Sequence, residues 1–341
     1  MKKQLLPLKK NVYKTALHVH TQVSDGELTP EELRDYYKKH GYSVVAYTDH
    51  EVLVEHTDLA QDDFLPITSY EISINAKQKV DCYDYTKTYH LNIYLPDPHA
   101  NTHFAFTPST VWGNAVNYIN DEIAKINYNR EYSIDCVNDV IKRTNEIGGF
   151  VSYNHPFWSL QDRTDYIDMK GVWGIEVYNH GGFDVGYYES YYPLDELLRQ
   201  GVRVLPLAVD DSHNYQQSCG GWAMVMADNL TYDEVFNALK KGDMYSSNGP
   251  EIKDIYLEDG YVYVKTSKVK QITLTTDRRF VRTIHASDDN GIDYAKFYIG
   301  DYLDKTVEHN VDKDKAYIRI FVTGFDGSTA WSRAYFYDEL V

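Results

Sequence analysis

The chain has 341 residues, enough for one large domain and a small one, because single cores rarely grow past roughly 250–300 residues. Its formal net charge of −17 repels a phosphate backbone over most of the surface, so nucleic acid is not an expected partner. Hydrophobic residues make up 43%, sufficient for a core, and no run approaches the ~20 apolar residues of a membrane span.

In chain order, the opening MKKQLLPLKKN holds too short an apolar stretch for an export signal, which needs roughly 7–15 apolar residues. A cytoplasmic protein is expected. Residues 15–19 read as a strand. Thr29-Pro30-Glu31-Glu32 then supplies an N-cap, a proline at the first helical position and acids in the first turn. That helix is expected to end at Gly41. Further strands are expected at 43–48, 64–69, 90–95, 149–153, 174–178 and 202–209. Helices are expected at 110–125, 133–146, 191–200 and 231–240. Alternation of strands and helices predicts an α/β fold with a largely parallel sheet, and this many repeats predict closure into a barrel.

The pattern changes near Gly249-Pro250. Beyond it, short runs alternate with period two at 261–265, 271–276, 282–286, 295–299, 316–322 and 333–337. Turn signals Asp259-Gly260, Asn290-Gly291 and Asp326-Gly327 separate several of them. The expected division is a barrel over 1–248 and a small all-β sandwich over 249–341. Cys82, Cys136 and Cys219 stand without CxxC spacing, so no disulfide framework or zinc finger is readable.

Chemistry is concentrated at the ends of the apolar runs. His18 and His20 are two apart, which on a strand places both on one side. Asp25 follows in the turn Ser24-Asp25-Gly26. Asp49-His50 ends the run Val44–Thr48, Glu71 follows 65–70, and His90 opens or lies within another strand. His155 follows 150–154 and precedes Pro156. Asp211 and His213 follow 202–209, again with period-two spacing. Each taken singly is an ordinary residue. Six recurrences of an apolar run ending in His, Asp or Glu predict a metal site assembled at strand ends.

These motifs, HVH, SDG, TDH, the glutamate, the mid-chain histidine, NHP and DSH, occur in the order found in the polymerase and histidinol phosphatase (PHP) superfamily. The resemblance covers residues 15–248. It implies a distorted seven-stranded (β/α)7 barrel with a trinuclear cluster, usually of manganese, iron or zinc, at the C-terminal face of the strands. It further implies one site from His18, His20, Glu71 and Asp211, a second sharing Glu71 with His90 and His155, and a third from Asp25, His50 and His213. The family's Asp-x-His spacing selects Asp211 over Asp210, which would orient a ligand. The insert 77–89 between Glu71 and His90 is expected to form a flap.

Two to three divalent ions lower the pKa of bound water from ~15.7 toward ~7 and neutralise charge on phosphoryl oxygens. Hydrolysis of phosphate mono- or diesters by metal-activated hydroxide is therefore the first expectation, with a small phosphorylated substrate. The alternative is hydrolysis of carboxylic esters, carbamates or amides, in which the ions hold the oxyanion. A non-catalytic metal-binding module is the third reading, and it predicts lost ligands, of which none is missing. Arg163 is a candidate for holding a phosphate bidentately. His180, at the end of the strand over 174–178, is a candidate proton donor to the leaving group. No GxSxG elbow or Walker-type loop is present.

Overall fold

The computed structural model describes residues 2–77, 85–103 and 105–341. Cys82 and most of the insert expected as a flap lie outside them.

The chain enters through β1 (Lys3–Gln4) and β2 (Asn11–Ala16) and turns into α1 (Pro30–Lys39). Here Thr29 accepts from the Glu32 amide while the Glu32 carboxylate accepts from the Thr29 amide, a reciprocal cap with Pro30 in the first turn. The helix buries Leu33 and Tyr37 and stops before Gly41, whose φ of +80° only glycine adopts freely. Next come β3 (Val44–Tyr47), β4 (Leu65–Asn75), β5 (Thr88–Tyr94), α2 (Ile134–Glu146), β6 (Phe150–Tyr153), α3 (Arg163–Tyr166) and β7 (Gly174–Asn179). They are followed by α4 (His180–Asp184), α5 (Tyr192–Arg199), β8 (Leu205–Val209), β9 (Trp222–Ala227), α6 (Tyr232–Lys241) and β10 (Met244–Ser247).

Strands β2 to β8 are neighbours in chain order within one sheet. Pairing is parallel from β2 to β4 and from β6 to β8. Strand β5 runs antiparallel to both of its neighbours, so the sheet is mixed rather than largely parallel. Past the ends of β2 and β8 a parallel bridge joins Val19 to Ser212. The Asp211 amide donates to His18 O and the His20 amide to Ser212 O, each at 2.9 Å. The first and last strands of this series therefore meet at the end that carries HVH and DSH.

The remaining elements are β11 (Ile252–Glu258), β12 (Tyr261–Val269), β13 (Gln271–Thr276), β14 (Arg282–His285), β15 (Ile292–Tyr298), α7 (Gly300–Glu308), β16 (Tyr317–Thr323), β17 (Thr329–Ser332), β18 (Tyr335–Phe336) and α8 (Tyr337–Leu340). Strands β1, β11, β12 and β15 form a separate four-stranded sheet. Its inner side chains, including Ile255, Val262, Val264 and Phe297, pack against Ile272, Leu274, Ile318 and Ile320 of the facing strands. Strand β17 pairs with β10, which makes one hydrogen-bonded sheet run from the C-terminal strands into the α/β part.

Three further expectations are corrected. Residues 110–125 do not form a helix but three short 3₁₀ turns, Pro108–Thr110, Gly113–Tyr118 and Ile123–Lys125. Gly113 sits at φ +59°, and the Asn120 side chain accepts from the Glu122 and Ile123 amides, so local turns outcompete a helix. The C-terminal part is not all-β, because α7 packs Tyr302 and Thr306 into its core. Glu71 does not end its strand. The antiparallel hairpin of β4 and β5 carries it to an interior position opposite Asn92.

Candidate metal centre

The two histidines of HVH lie just past β2, where the chain stays extended along the DSH loop. His50 follows β3 and bridges in parallel to Glu71 in the middle of β4. His90 lies on β5 opposite Ser73, two residues from Glu71 and on the same face. His155 follows β6, and Asp211 and His213 follow β8. Two of these positions are strained. His155 has φ +24° and Asp211 φ +50°, in the region that non-glycine residues rarely occupy. Gly181 makes room for the second, since a Cβ there would lie 2.6 Å from Asp211 O.

All nine expected ligands come together. Their candidate atoms fall into four overlapping groups, each with every atom within 4.8 Å of the others: His20, Asp25, His50 and His213; His18, His155 and Asp211; His18, His20 and Glu71; His50, Glu71 and His90. Glu71 is central. Its Oε1 lies 3.3 Å from His90 Nδ1 and 3.4 Å from His18 Nε2, and its Oε2 lies 3.1 Å from His50 Nδ1. Asp211 Oδ1 stands 3.1 Å from His20 Nε2 and 3.2 Å from His18 Nε2. Asp25 Oδ2 stands 3.2 Å from His213 Nε2.

The surroundings hold these groups in place. Glu176 Oε1 lies 2.6 Å from His18 Nδ1, and its Oε2 accepts from the His155 amide and from Asn179 Nδ2 at 2.9 Å each. Asn154 donates to Glu71 Oε1 at 2.7 Å and is itself held by Ser152. Asp49 accepts from the Thr21 amide and hydroxyl and from the Ser24 amide and hydroxyl, which fixes the turn that presents Asp25. Asp210 accepts from Tyr37 and from the amides of Cys219, Gly220 and Gly221. It shapes the loop beside Asp211 and is absent from the ligand groups.

Electrostatics mark the cluster as a place for positive charge. Burial works against the charged form of His18, yet Asp211, Glu71 and Glu176 raise its pKa well above the usual imidazole value. Burial alone would raise the Glu71 carboxyl, but His18, His90 and His50 pull it well below the carboxylate range. His155 and His213, also opposed by burial, are lifted to about 9, chiefly by the carboxylates of Glu71 and Asp25 respectively. His50 goes the other way, down to about 3, because desolvation dominates. Two buried atoms of the cluster, His20 Nδ1 and Glu71 Oε2, make no hydrogen bond. Orphaned buried acceptors are rare, and here they face a set of imidazole and carboxylate donors suited to divalent ions. The residues fit such ions.

The motifs keep the order in which they resemble the PHP superfamily, and all nine side chains converge. No family model matches the chain, and no curated protein matches it. Among solved structures, it is similar to a two-domain protein from Bacteroides vulgatus described as containing a predicted PHP-like metal-dependent phosphoesterase. The two are 13% identical, the match covers 98% of each chain, and the TM-score is 0.43. An amidohydrolase from Chromobacterium violaceum, 16% identical, matches over 67% of this chain and 96% of its own with a TM-score of 0.41. A lesion-specific endonuclease from Pyrococcus furiosus, 13% identical, matches over 68% of this chain and 56% of its own with a TM-score of 0.36.

The cluster opens into a cavity of about 660 Å³ lined by Asp25, His50, Glu71, His90, His155, Asp211 and His213. The structure does not bring the two expected substrate-handling residues to it. Arg163 begins α3, is about half exposed and pairs with Glu196 at 2.9 Å. His180 lies against Gly220, with its Nδ1 2.9 Å from the Tyr178 hydroxyl, and neither residue lines the cavity. Glu176, an acid in the apolar run GIEVYN, was readable from sequence as a buttress of the rim, but its hold on His18 was not. Sequence reasoning also missed Trp112 and Trp158, which line the cavity from loops without a motif.

Proposed function

We propose that the chain is a metal-dependent hydrolase, and specifically a phosphoesterase that cleaves small phosphate mono- or diesters. One observation carries the reading: six histidines and three carboxylates converge in overlapping groups, and four of the histidines and all three carboxylates line one cavity. Two to three divalent ions, of manganese, iron or zinc, would be held by His18, His20, Asp25, His50, Glu71, His90, His155, Asp211 and His213. When bound, such ions supply Lewis acidity toward phosphoryl oxygens and make water a nucleophile at neutral pH. The chain's own part is orientation: Glu176 fixes the His18 ring, Asn154 fixes Glu71, and Asp49 fixes the Asp25 turn. The Val19–Ser212 bridge supports reading β2 to β8 as the distorted (β/α)7 barrel, with residues 249–341 as its accessory unit.

Hydrolysis of a carboxylic ester, carbamate or amide is kept as a second reading. It is favoured by a cavity wall without lysine or arginine among the described residues, which suits an uncharged carbonyl substrate. A substrate panel on metal-reconstituted protein separates the two. An aryl phosphate should be hydrolysed with manganese, activity should vanish with a chelator, and adding the ion should restore it. Inorganic phosphate should inhibit competitively. Cleavage of an aryl ester or carbamate with the aryl phosphate left intact replaces the first reading by the second.

A further inference from the structure

Two indoles stand on the cavity wall, and the hydrolytic cluster has no use for either. Trp112 is 52% exposed, and its ring centroid lies 5.7 Å from that of His50. The Trp158 ring lies 5.5 Å from His90 and 5.0 Å from His155. They come from separate segments, Trp112 from the 3₁₀ turns between β5 and α2 and Trp158 from the loop after β6, yet both line the same cavity.

Both loops are tied down. Asn114 donates through its side chain to Gln22 O at 3.1 Å, which holds the Trp112 turn against the loop bearing Asp25. Glu189 accepts from the amides of Phe157 and Trp158 at 3.0 and 3.1 Å, which holds the Trp158 loop. Val111 and Val185 extend the apolar wall, and the amides of Asn75 and Gln217 add neutral hydrogen-bonding groups. Among the described lining residues there is no lysine or arginine. The cavity of about 660 Å³ is of the size that holds a whole small molecule, so a phosphate alone would leave most of it empty.

We propose that Trp112 and Trp158 select a substrate whose leaving group is a planar, uncharged aromatic ring system, stacked on an indole while the scissile phosphate sits at the histidine–carboxylate cluster. This rests on the phosphoesterase reading. A second anionic group on the substrate would find Asp25 and Asp211 and, among the described lining residues, no lysine or arginine. An alkyl group would pack on Val111 and Val185 but gain no stacking from the indoles. An aromatic ring gains from an indole face whatever its substituents. In the reaction, the oxygen of water bonds to phosphorus and the ester P–O bond breaks. A proton from the water ends on the departing alcohol.

The test compares two primary-alcohol monoesters, so that leaving-group acidity is matched: 2-(1-naphthyl)ethyl phosphate and butyl phosphate, with the manganese-loaded full chain. The wild type should show at least about tenfold higher kcat/KM on the naphthyl ester, and Trp112→Ala should remove about tenfold of that through KM. Butyl phosphate should change less than about twofold, and Trp112→Phe should restore most of the loss. Trp158→Phe, milder than alanine beside His90 and His155, should lower only the naphthyl value while metal content stays at the wild-type level. Equal kcat/KM for the two esters in the wild type, or an equal loss on both in Trp112→Ala, overturns the proposal. If neither ester is cleaved, the phosphoesterase reading fails. The indoles are then judged by equilibrium dialysis of 2-(1-naphthyl)ethyl phosphonate. About tenfold weaker binding to Trp112→Ala upholds aromatic selection, and equal binding overturns it.

Discussion

His18 Nδ1 lies 2.6 Å from Glu176 Oε1, and this contact decides which nitrogen of the imidazole faces the carboxylates of the cluster. With Nδ1 held by Glu176, Nε2 is the nitrogen that faces Glu71 and Asp211, 3.4 and 3.2 Å away. Glu176→Gln keeps the size and removes the charge. It should weaken metal affinity by about 10- to 100-fold with unchanged secondary structure, measured by manganese titration alongside circular dichroism. Wild-type affinity in this variant would show that the ring is held by packing alone.

Glu51, next to His50, is fully buried and pairs with Arg130 at 2.5 Å, and it also accepts from the Ser73 amide at 3.0 Å. Arg130 comes from the segment before α2 and donates to Ala105 O, Ser73 O and Thr110, so it ties that segment to the ligand-bearing loop. Arg130→Ala leaves a carboxylate buried without its partner. The expected loss is about 3–5 kcal/mol in urea unfolding of the metal-free protein. A loss under about 1 kcal/mol would show that water reaches Glu51 and replaces the guanidinium.

Eight of the nine candidate ligands were legible because they close or interrupt apolar runs, where polar residues stand out against the pattern, and Asp25 was legible through the order of the motifs. The strand–helix alternation was legible for the same reason, with α1, α2, α5 and α6 found within a residue or two of their expected bounds. What sequence did not show depends on pairing across distance. The Lys3–Gln4 strand joins β11, some 250 residues away, through only two residue pairs, too few to leave a pattern. The 110–125 segment has helix-compatible composition, but Gly113 and Asn120 impose turns. Glu176 looked like one acid in a strand until His18 and the His155 amide were seen to converge on it.

His103 supplies a pH dependence. Burial pushes its pKa down to about 4, and its neutral Nε2 accepts from the Leu53 amide at 2.6 Å. The unfolded chain titrates near ~6.5. A base whose folded pKa is depressed contributes stability that is full above ~6.5 and is lost as pH falls toward 4, here about 3 kcal/mol. His103→Gln should therefore flatten part of the fall in unfolding free energy between pH 7.5 and pH 4.5, measured on metal-free protein. Parallel curves for variant and wild type would assign the loss to other groups.

Gly26 sets the distance between the Asp25 turn and HVH. A Cβ there would lie 2.5 Å from His20 O and 2.8 Å from Thr21 Cα, both backbone atoms that cannot swing aside. Gly26→Ala should displace Asp25 from His213 and His20. The expected result is loss of about one ion per chain by elemental analysis, with the other ligand groups still loaded. Full metal content in Gly26→Ala would show that the Asp25 group does not hold an ion.

The most direct measurement is the metal content of protein purified without chelators from cells supplied with manganese, iron and zinc. Two to three ions per chain are expected, within about 3.5–4 Å of one another by anomalous scattering, as in other multinuclear hydrolases. Glu71→Ala, which removes the carboxylate shared by His18, His50 and His90, should lower that number and abolish hydrolysis together. A wild-type chain that binds no ion under these conditions would contradict the metal centre and every function drawn from it.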